Sequence, residues 1–251
     1  MERLLAIAYG AVGYVAGLVA FGYAIGFVGN IAVPHSIDHG LTAPVGQAVV
    51  IDVFLLSAFG VQHSVMARPG FKRRWTKVVP QSIERSTYVS TTALVMFLLF
   101  WQWRTMPAVV WDVSWRPGSL VLQLLFWLGW ATVMINHFDL FGLRQVYLAW
   151  RGEPYTDIGF RTPLLYRLVR HPLLLGFIVA FWAGPAMTAG HLLFAVVMTG
   201  YILIAVRFEE RDLTADLGDQ YRDYRRRVPR LVPCPRRRRV VASSVPVRDP
   251  A

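Results

Sequence analysis

Four short stretches of the chain carry side chains that move protons, pair with charge or ligate metals. Gln62 and His63 form the first, Asn136, His137 and Asp139 the second, Arg170 and His171 the third, and Glu209 and Glu210 the fourth. An imidazole titrates near neutral pH and serves as a proton acceptor or donor. A guanidinium pairs with a carboxylate through two parallel hydrogen bonds. Each stretch also has an ordinary structural reading. His63 can cap a helix or sit at an interface. Asn136 and Asp139 are three apart, share a helical face and can bond across helices. Pro172, after Arg170-His171, suits the first turn of a helix. Glu209-Glu210 can be a solvated pair, although acids suit a helix start better than its end. His35 and His39 are four apart with Asp38 between them, which is a metal-like spacing without a second cluster. The residue types alone leave group transfer, metal-dependent redox chemistry and transport open.

These side chains must be positioned by apolar elements. Of 251 residues, 55% are hydrophobic and only 16% are charged, and the mean hydropathy is +0.42. Soluble domains carry about 25% charged residues. That excludes a soluble globular domain and a disordered chain. The apolar runs are Leu4–Val28, Val45–Met66, Thr87–Met106, Ser119–Phe138 and Leu173–Phe208, the last broken by Gly184, Pro185 and Gly190. A membrane helix takes about 20 such residues. The first run is too long for a signal peptide core and reads as an uncleaved span. Its small-residue pairs, Gly13/Gly17 and Gly22/Gly26, suit close helix packing in lipid. The broken run reads as two short spans in a hairpin or as a re-entrant loop. The expected fold is therefore all-α: a polytopic membrane helix bundle of five or six spans, followed by a short C-terminal helix over Glu209–Tyr224.

Charge gives the orientation. With six spans, 24 of the 26 Lys and Arg residues fall on one side, and only Arg104 and Arg116 on the other. Positive charge marks the cytoplasmic side. Both termini and all four polar stretches are thus expected there. The net charge is +11, and the nine Arg and one Asp from Arg225 onward supply +8 of it. Beside a membrane body, anionic lipid is the simpler partner for such a tail than nucleic acid. Residues 1–224 read as the membrane-embedded domain and 225–251 as a basic, disordered cytoplasmic tail. Cys234 is the single cysteine, so an intrachain disulfide and a four-cysteine zinc site are excluded. Oligomeric state is not legible.

The last third of the chain resembles the isoprenylcysteine carboxyl methyltransferase superfamily. The matching residues are Arg170-His171-Pro172 with Gly176, then an apolar hairpin, Glu209-Glu210, Leu213, Gly218, Tyr221, Tyr224 and Val228-Pro229-Arg230. Leu173–Leu175 stand where that superfamily often has a Tyr, which makes the pocket wall more apolar. The first two thirds are similar to a narrower group. Gln62–Pro69, Glu84–Tyr88 and Asn136–Gln145 resemble bacterial methanethiol S-methyltransferases within the NnrU-like membrane proteins. The resemblance implies S-adenosylmethionine as methyl donor and a small thiol as acceptor, most directly methanethiol giving dimethyl sulfide. A carboxylate or lipid-like acceptor is the alternative within the superfamily. It further implies a donor site at Arg170, His171, Pro172, Gly176, Glu209, Glu210 and Tyr221. His63, His137 and Asp139 are the candidates for thiol deprotonation, and no metal is expected.

Overall fold

The computed structural model describes residues 2–135, 147–148, 150–151, 153 and 164–233. Helix α1 covers Glu2–Gly29, α2 Val45–Ala67, α3 Pro69–Trp75, α4 Glu84–Gln102, α5 Arg116–Ile135, α6 Pro172–Trp182, α7 Ala189–Leu217 and α8 Asp219–Arg227. Four short strands, β1 Leu41–Thr42, β2 Arg104–Thr105, β3 Val109–Asp112 and β4 Ala186–Thr188, lie in the connections. By length and apolar composition α1, α2, α5 and α7 suit a membrane crossing. The all-α membrane bundle expected from the sequence is the fold found.

Helix boundaries follow local chemistry. Arg68 is extended (φ −72, ψ 138) because Pro69 follows it, so α2 ends there and α3 begins at the proline. Pro172 occupies the first turn of α6, where a missing N–H costs nothing. Thr188 caps α7 by accepting the His191 N–H at 3.1 Å. Gly218 takes the left-handed φ of 56 that closes α7 and opens α8.

Two elements differ from the sequence reading. The last apolar helix does not stop at Phe208. It runs to Leu217, because hydropathy marks where lipid ends and not where backbone hydrogen bonding ends. The first arm of the hairpin is only 11 residues, from Pro172 to Trp182, about 16 Å by helical rise. Strand β4 makes up part of the remaining depth.

The connections sort into two faces. On one, β1 pairs with β2 and β3 pairs with β4. Thr188 Oγ1 donates to Asp38 at 2.5 Å, and Asp52, fully buried in α2, accepts the Arg104 N–H at 2.9 Å. The hairpin turn therefore lies with the 30–44 and 103–115 connections, and the hairpin passes from one face of the bundle to the other. Among the described residues, α1, α2, α4, α5, α6 and α7 thus run between the two faces. The opposite face carries the start of α1, the α2–α4 connection, the start of α6, the end of α7 and α8. Between the faces lies an aromatic core in which Phe27, Trp103, Phe181 and Phe194 meet edge to face.

Candidate functional site

Glu210 is the centre of the charged cluster at this second face. Helix α7 places it 21 residues after Ala189, about 32 Å along the axis, at the depth where α6 begins. Arg170, two residues before α6, donates to Glu210 Oε1 from Nε at 2.8 Å and from Nη2 at 2.6 Å. Its third nitrogen, Nη1, donates to the carbonyls of Val228 at 2.5 Å and Arg225 at 3.1 Å. Arg230 Nη2 donates to Glu210 Oε2 at 2.8 Å. His171 lies between the two acids, with Nε2 3.3 Å from Glu210 and Nδ1 3.4 Å from Glu209. The Arg170, His171 and Glu210 side chains are nearly inaccessible, whereas that of Glu209 is 53% exposed. Burying so many charges is tolerable only because each is paired and hydrogen-bonded.

Helix α8 closes this cluster. Tyr221, Tyr224 and Val228 pack on Leu213 and Leu217 of α7. Tyr224 donates its hydroxyl to the Tyr166 carbonyl at 2.6 Å. The chain then runs back along the start of α6, where the Arg170 N–H meets the Pro229 carbonyl at 2.9 Å and the His171 N–H meets the Arg230 carbonyl at 3.2 Å. Burial, with the Glu210 charge adding to it, pushes the Tyr221 phenol up to about 12, and burial pushes Tyr224 up to about 12. Arg225–Arg230, read from composition as the start of a loose tail, thus belong in part to a helix and in part to the charged cluster.

Beside the cluster is a cavity of about 520 Å³. Its mouth carries Glu209, Asp212, Asp216 and Arg68. Arg68 donates to Asp212 at 2.7 Å and lies 4.7 Å over the Phe208 ring. Farther in are His63 and Tyr88, also on the wall, with the Tyr88 hydroxyl 2.9 Å from His63 Nδ1 and 3.0 Å from Nε2. Phe59 stacks on the imidazole at 5.4 Å. Ser64 donates to the Tyr201 hydroxyl at 3.2 Å, and both line the wall. Beyond His63 the lining is apolar and aromatic apart from Thr92.

The structure brings Arg170, His171, Glu209, Glu210 and Tyr221 together, as their order in the sequence suggests. Gly176 and Pro172 both lie in α6. A Cβ on Gly176 would stand 2.7 Å from the Gly129 carbonyl oxygen, and a Cβ on Gly129 would stand 2.7 Å from that of Gly176. The pair lets α5 and α6 touch backbone to backbone. Pro172 starts α6. His63 lies on the cavity wall and outside the charged cluster. His137 and Asp139, with Asn136, lie outside the described residues. Among the described residues, no three His, Cys, Asp or Glu stand together as metal ligands, and this includes His35 and His39. Sequence reasoning missed Tyr88, Asp212 and the place of Arg68. A faint signal existed for two of these, since Arg68 and Tyr88 fall inside the strings Gln62–Pro69 and Glu84–Tyr88.

Comparison with known proteins adds the chemistry. No family model matches the chain, and no solved structure matches it. It is 66% identical over 242 residues to a methanethiol S-methyltransferase of Mycobacterium tuberculosis, covering 94% of this chain and 99% of that protein. It is 56% identical over 236 residues to methanethiol S-methyltransferase 2 of Bradyrhizobium diazoefficiens, covering 92% of this chain and 91% of that protein. Nurim of Danio rerio is 32% identical over 187 residues, covering 67% of this chain and 66% of that protein.

Proposed function

The chain belongs to the methanethiol S-methyltransferase family, and from that premise we propose that it transfers a methyl group from S-adenosylmethionine to methanethiol, releasing dimethyl sulfide. The observation that carries this reading is the cavity: charged at its mouth, apolar within, and with a His63–Tyr88 pair on the wall between. A volume of about 520 Å³ lies in the range that small-molecule sites occupy.

The residues at the mouth fit a sulfonium donor. It carries an ammonium, a positive sulfur and a carboxylate. Glu209, Asp212 and Asp216 offer negative charge to the first two, and Arg68 offers a guanidinium to the third. Arg170 has all three guanidinium nitrogens engaged within the protein, so its part is to fix Glu210 and the α8 wall. His171 and Glu210 share that part, while Glu209 faces the cavity. Tyr221 and Gly176 support the wall from behind. The face with these groups holds the basic excess and is assigned to the cytoplasm, where the donor is made. The basic residues around it suit anionic lipid.

When bound, the donor supplies an activated methyl group. The chain's own work is to align and to dry. Rigid helices hold the reacting atoms in line, which accounts for a large share of rate in displacements. The apolar interior excludes water, so charge neutralisation between a thiolate and a sulfonium is not opposed by solvation. An alkyl thiol is mostly protonated at neutral pH, since even a cysteine thiol titrates near 8.5. His63 takes that proton, and Tyr88 holds its ring in place. His137 and Asp139 remain candidates from sequence for the same proton path.

The test is headspace analysis of membranes bearing the full chain, supplied with methyl-labelled S-adenosylmethionine and methanethiol. Labelled dimethyl sulfide that disappears in His63→Ala supports the reading. Absence of product from folded protein that binds the donor discards methanethiol as acceptor.

A further inference from the structure

The cavity is far longer than methanethiol requires. Along α7 its lining runs from Phe194 to Asp216, 22 residues, or about 33 Å of helical rise. His63 and Tyr88 stand partway along it. On α2 the lining continues seven residues past His63 to Leu56, about 10 Å deeper. On α4 it continues twelve residues past Tyr88 to Phe100, about 18 Å deeper. Helices α2 and α4 run in opposite directions, so both extensions lead away from the charged mouth. Leu56, Leu99, Phe100, Phe181 and Phe194 close the far end, and no charged side chain lines this arm.

A two-heavy-atom acceptor touches almost none of that surface. Apolar walls without a partner forgo dispersion contacts, and a chain of methylenes is the chemical shape that extends along a long apolar arm. A thiol entering with its chain directed inward leaves its sulfur at the level of His63, facing the mouth. We propose that this arm is an acceptor subsite, and that the chain methylates lipophilic alkyl thiols of several carbons as well as methanethiol. The proposal rests on the thiol methyltransferase reading above. The chemistry balances as for methanethiol. The thiol proton passes to His63, the sulfur–methyl bond forms as the methyl–sulfonium bond breaks, and the products are an alkyl methyl thioether and S-adenosylhomocysteine.

The experiment is a chain-length series, methanethiol to octanethiol, with membranes bearing the full chain and labelled S-adenosylmethionine. Each buried methylene is worth about fourfold in binding. The expected kcat/KM rises by about that factor per carbon and then falls once the arm is full. Partition into the bilayer also favours longer thiols, so the decisive reading is a variant. Leu56→Trp shortens the arm and should lower the hexanethiol-to-methanethiol ratio of kcat/KM at least tenfold. Should that variant not accumulate, Phe194→Ala lengthens the arm and should move the optimum to longer thiols. Methanethiol turnover with no turnover of propanethiol and longer thiols overturns the subsite and leaves the methyltransferase reading intact. So does a series whose optimum neither variant moves. No methylation of any thiol by folded protein overturns both.

Discussion

Arg170 and Glu210 form a closed ion pair in which two guanidinium nitrogens, at 2.8 and 2.6 Å, share one carboxylate oxygen. The other oxygen takes Arg230 at 2.8 Å. The pair joins the start of α6 to the end of α7, and the third nitrogen of Arg170 reaches the chain that follows α8. It is a joint between three segments, and it shapes the cavity mouth from behind.

Breaking that joint should cost stability before it costs chemistry. Glu210→Ala leaves Arg170 buried without its partner, a loss of about 3–5 kcal/mol. Thermal unfolding in detergent should show it as a large fall in midpoint. Arg170→Lys should rescue little, because an ammonium cannot reproduce the planar fork. A variant with wild-type midpoint and lost donor binding would place Glu210 in direct contact with the donor.

Glu209 should behave differently from its neighbour. Its side chain is half exposed at the mouth. Glu209→Gln should leave the unfolding midpoint nearly unchanged and raise the KM for S-adenosylmethionine about tenfold, which corresponds to about 1.4 kcal/mol. An unchanged KM would remove Glu209 from the donor site.

Proton transfer through His63 can be separated from a structural role by the acidity of the acceptor. His63→Ala should slow methanethiol turnover about 100-fold or more near neutral pH. The deficit should shrink as pH rises towards the thiol pKa. It should also shrink with an aromatic thiol, which ionises more readily. Equal deficits for acidic and ordinary thiols would mean that His63 only shapes the wall.

Gly176 offers a test of packing against ligand contact. Gly176→Ala pushes a methyl group to 2.7 Å from the Gly129 carbonyl oxygen. Overpacking of this kind costs about 1–3 kcal/mol. The same loss of midpoint should appear with and without donor. A loss confined to the donor-bound protein would make Gly176 part of the pocket.

Alkaline pH should loosen α8. Tyr221 and Tyr224 are held up to about 12, against an ordinary 10.0. Between those values the unfolded chain releases phenolic protons that the folded chain keeps. Stability is therefore flat below pH 10 from this source and falls from pH 10 to about 12. The double variant Tyr221→Phe, Tyr224→Phe should start less stable and show a flatter decline over that window. An unchanged slope would show that other groups govern it.

Much of this was legible before any coordinates. Apolar runs gave the passes through the bundle, because lipid demands long uninterrupted hydrogen-bonded segments. The clustering of Arg170, His171, Glu209 and Glu210 followed from their places at two adjoining ends of one hairpin. Two things were not legible. Which acid is buried and which faces the cavity depends on helical phase: Glu209 and Glu210 differ by one residue and by nearly all of their exposure. And the commitment of Arg170 to Glu210 depends on the return of residues 228–230, which is fixed by Tyr221 and Tyr224 packing on α7. No local pattern encodes such a return. The His63–Tyr88 pair bridges 25 residues and two helices, so only the crossing of α2 and α4 reveals it.

The return of residues 228–230 onto Arg170 and His171 sets an order of assembly. A chain grows from its N-terminus, so helices α1 to α7 are made before Val228, Pro229 and Arg230. Until then the Arg170 guanidinium lacks the Val228 carbonyl and Glu210 lacks Arg230. The wall behind the cavity mouth is therefore completed only after every helix that flanks it has been made. A chain ending before Val228 would keep the helices but lack the Val228, Pro229 and Arg230 contacts that fix Arg170, His171 and Glu210.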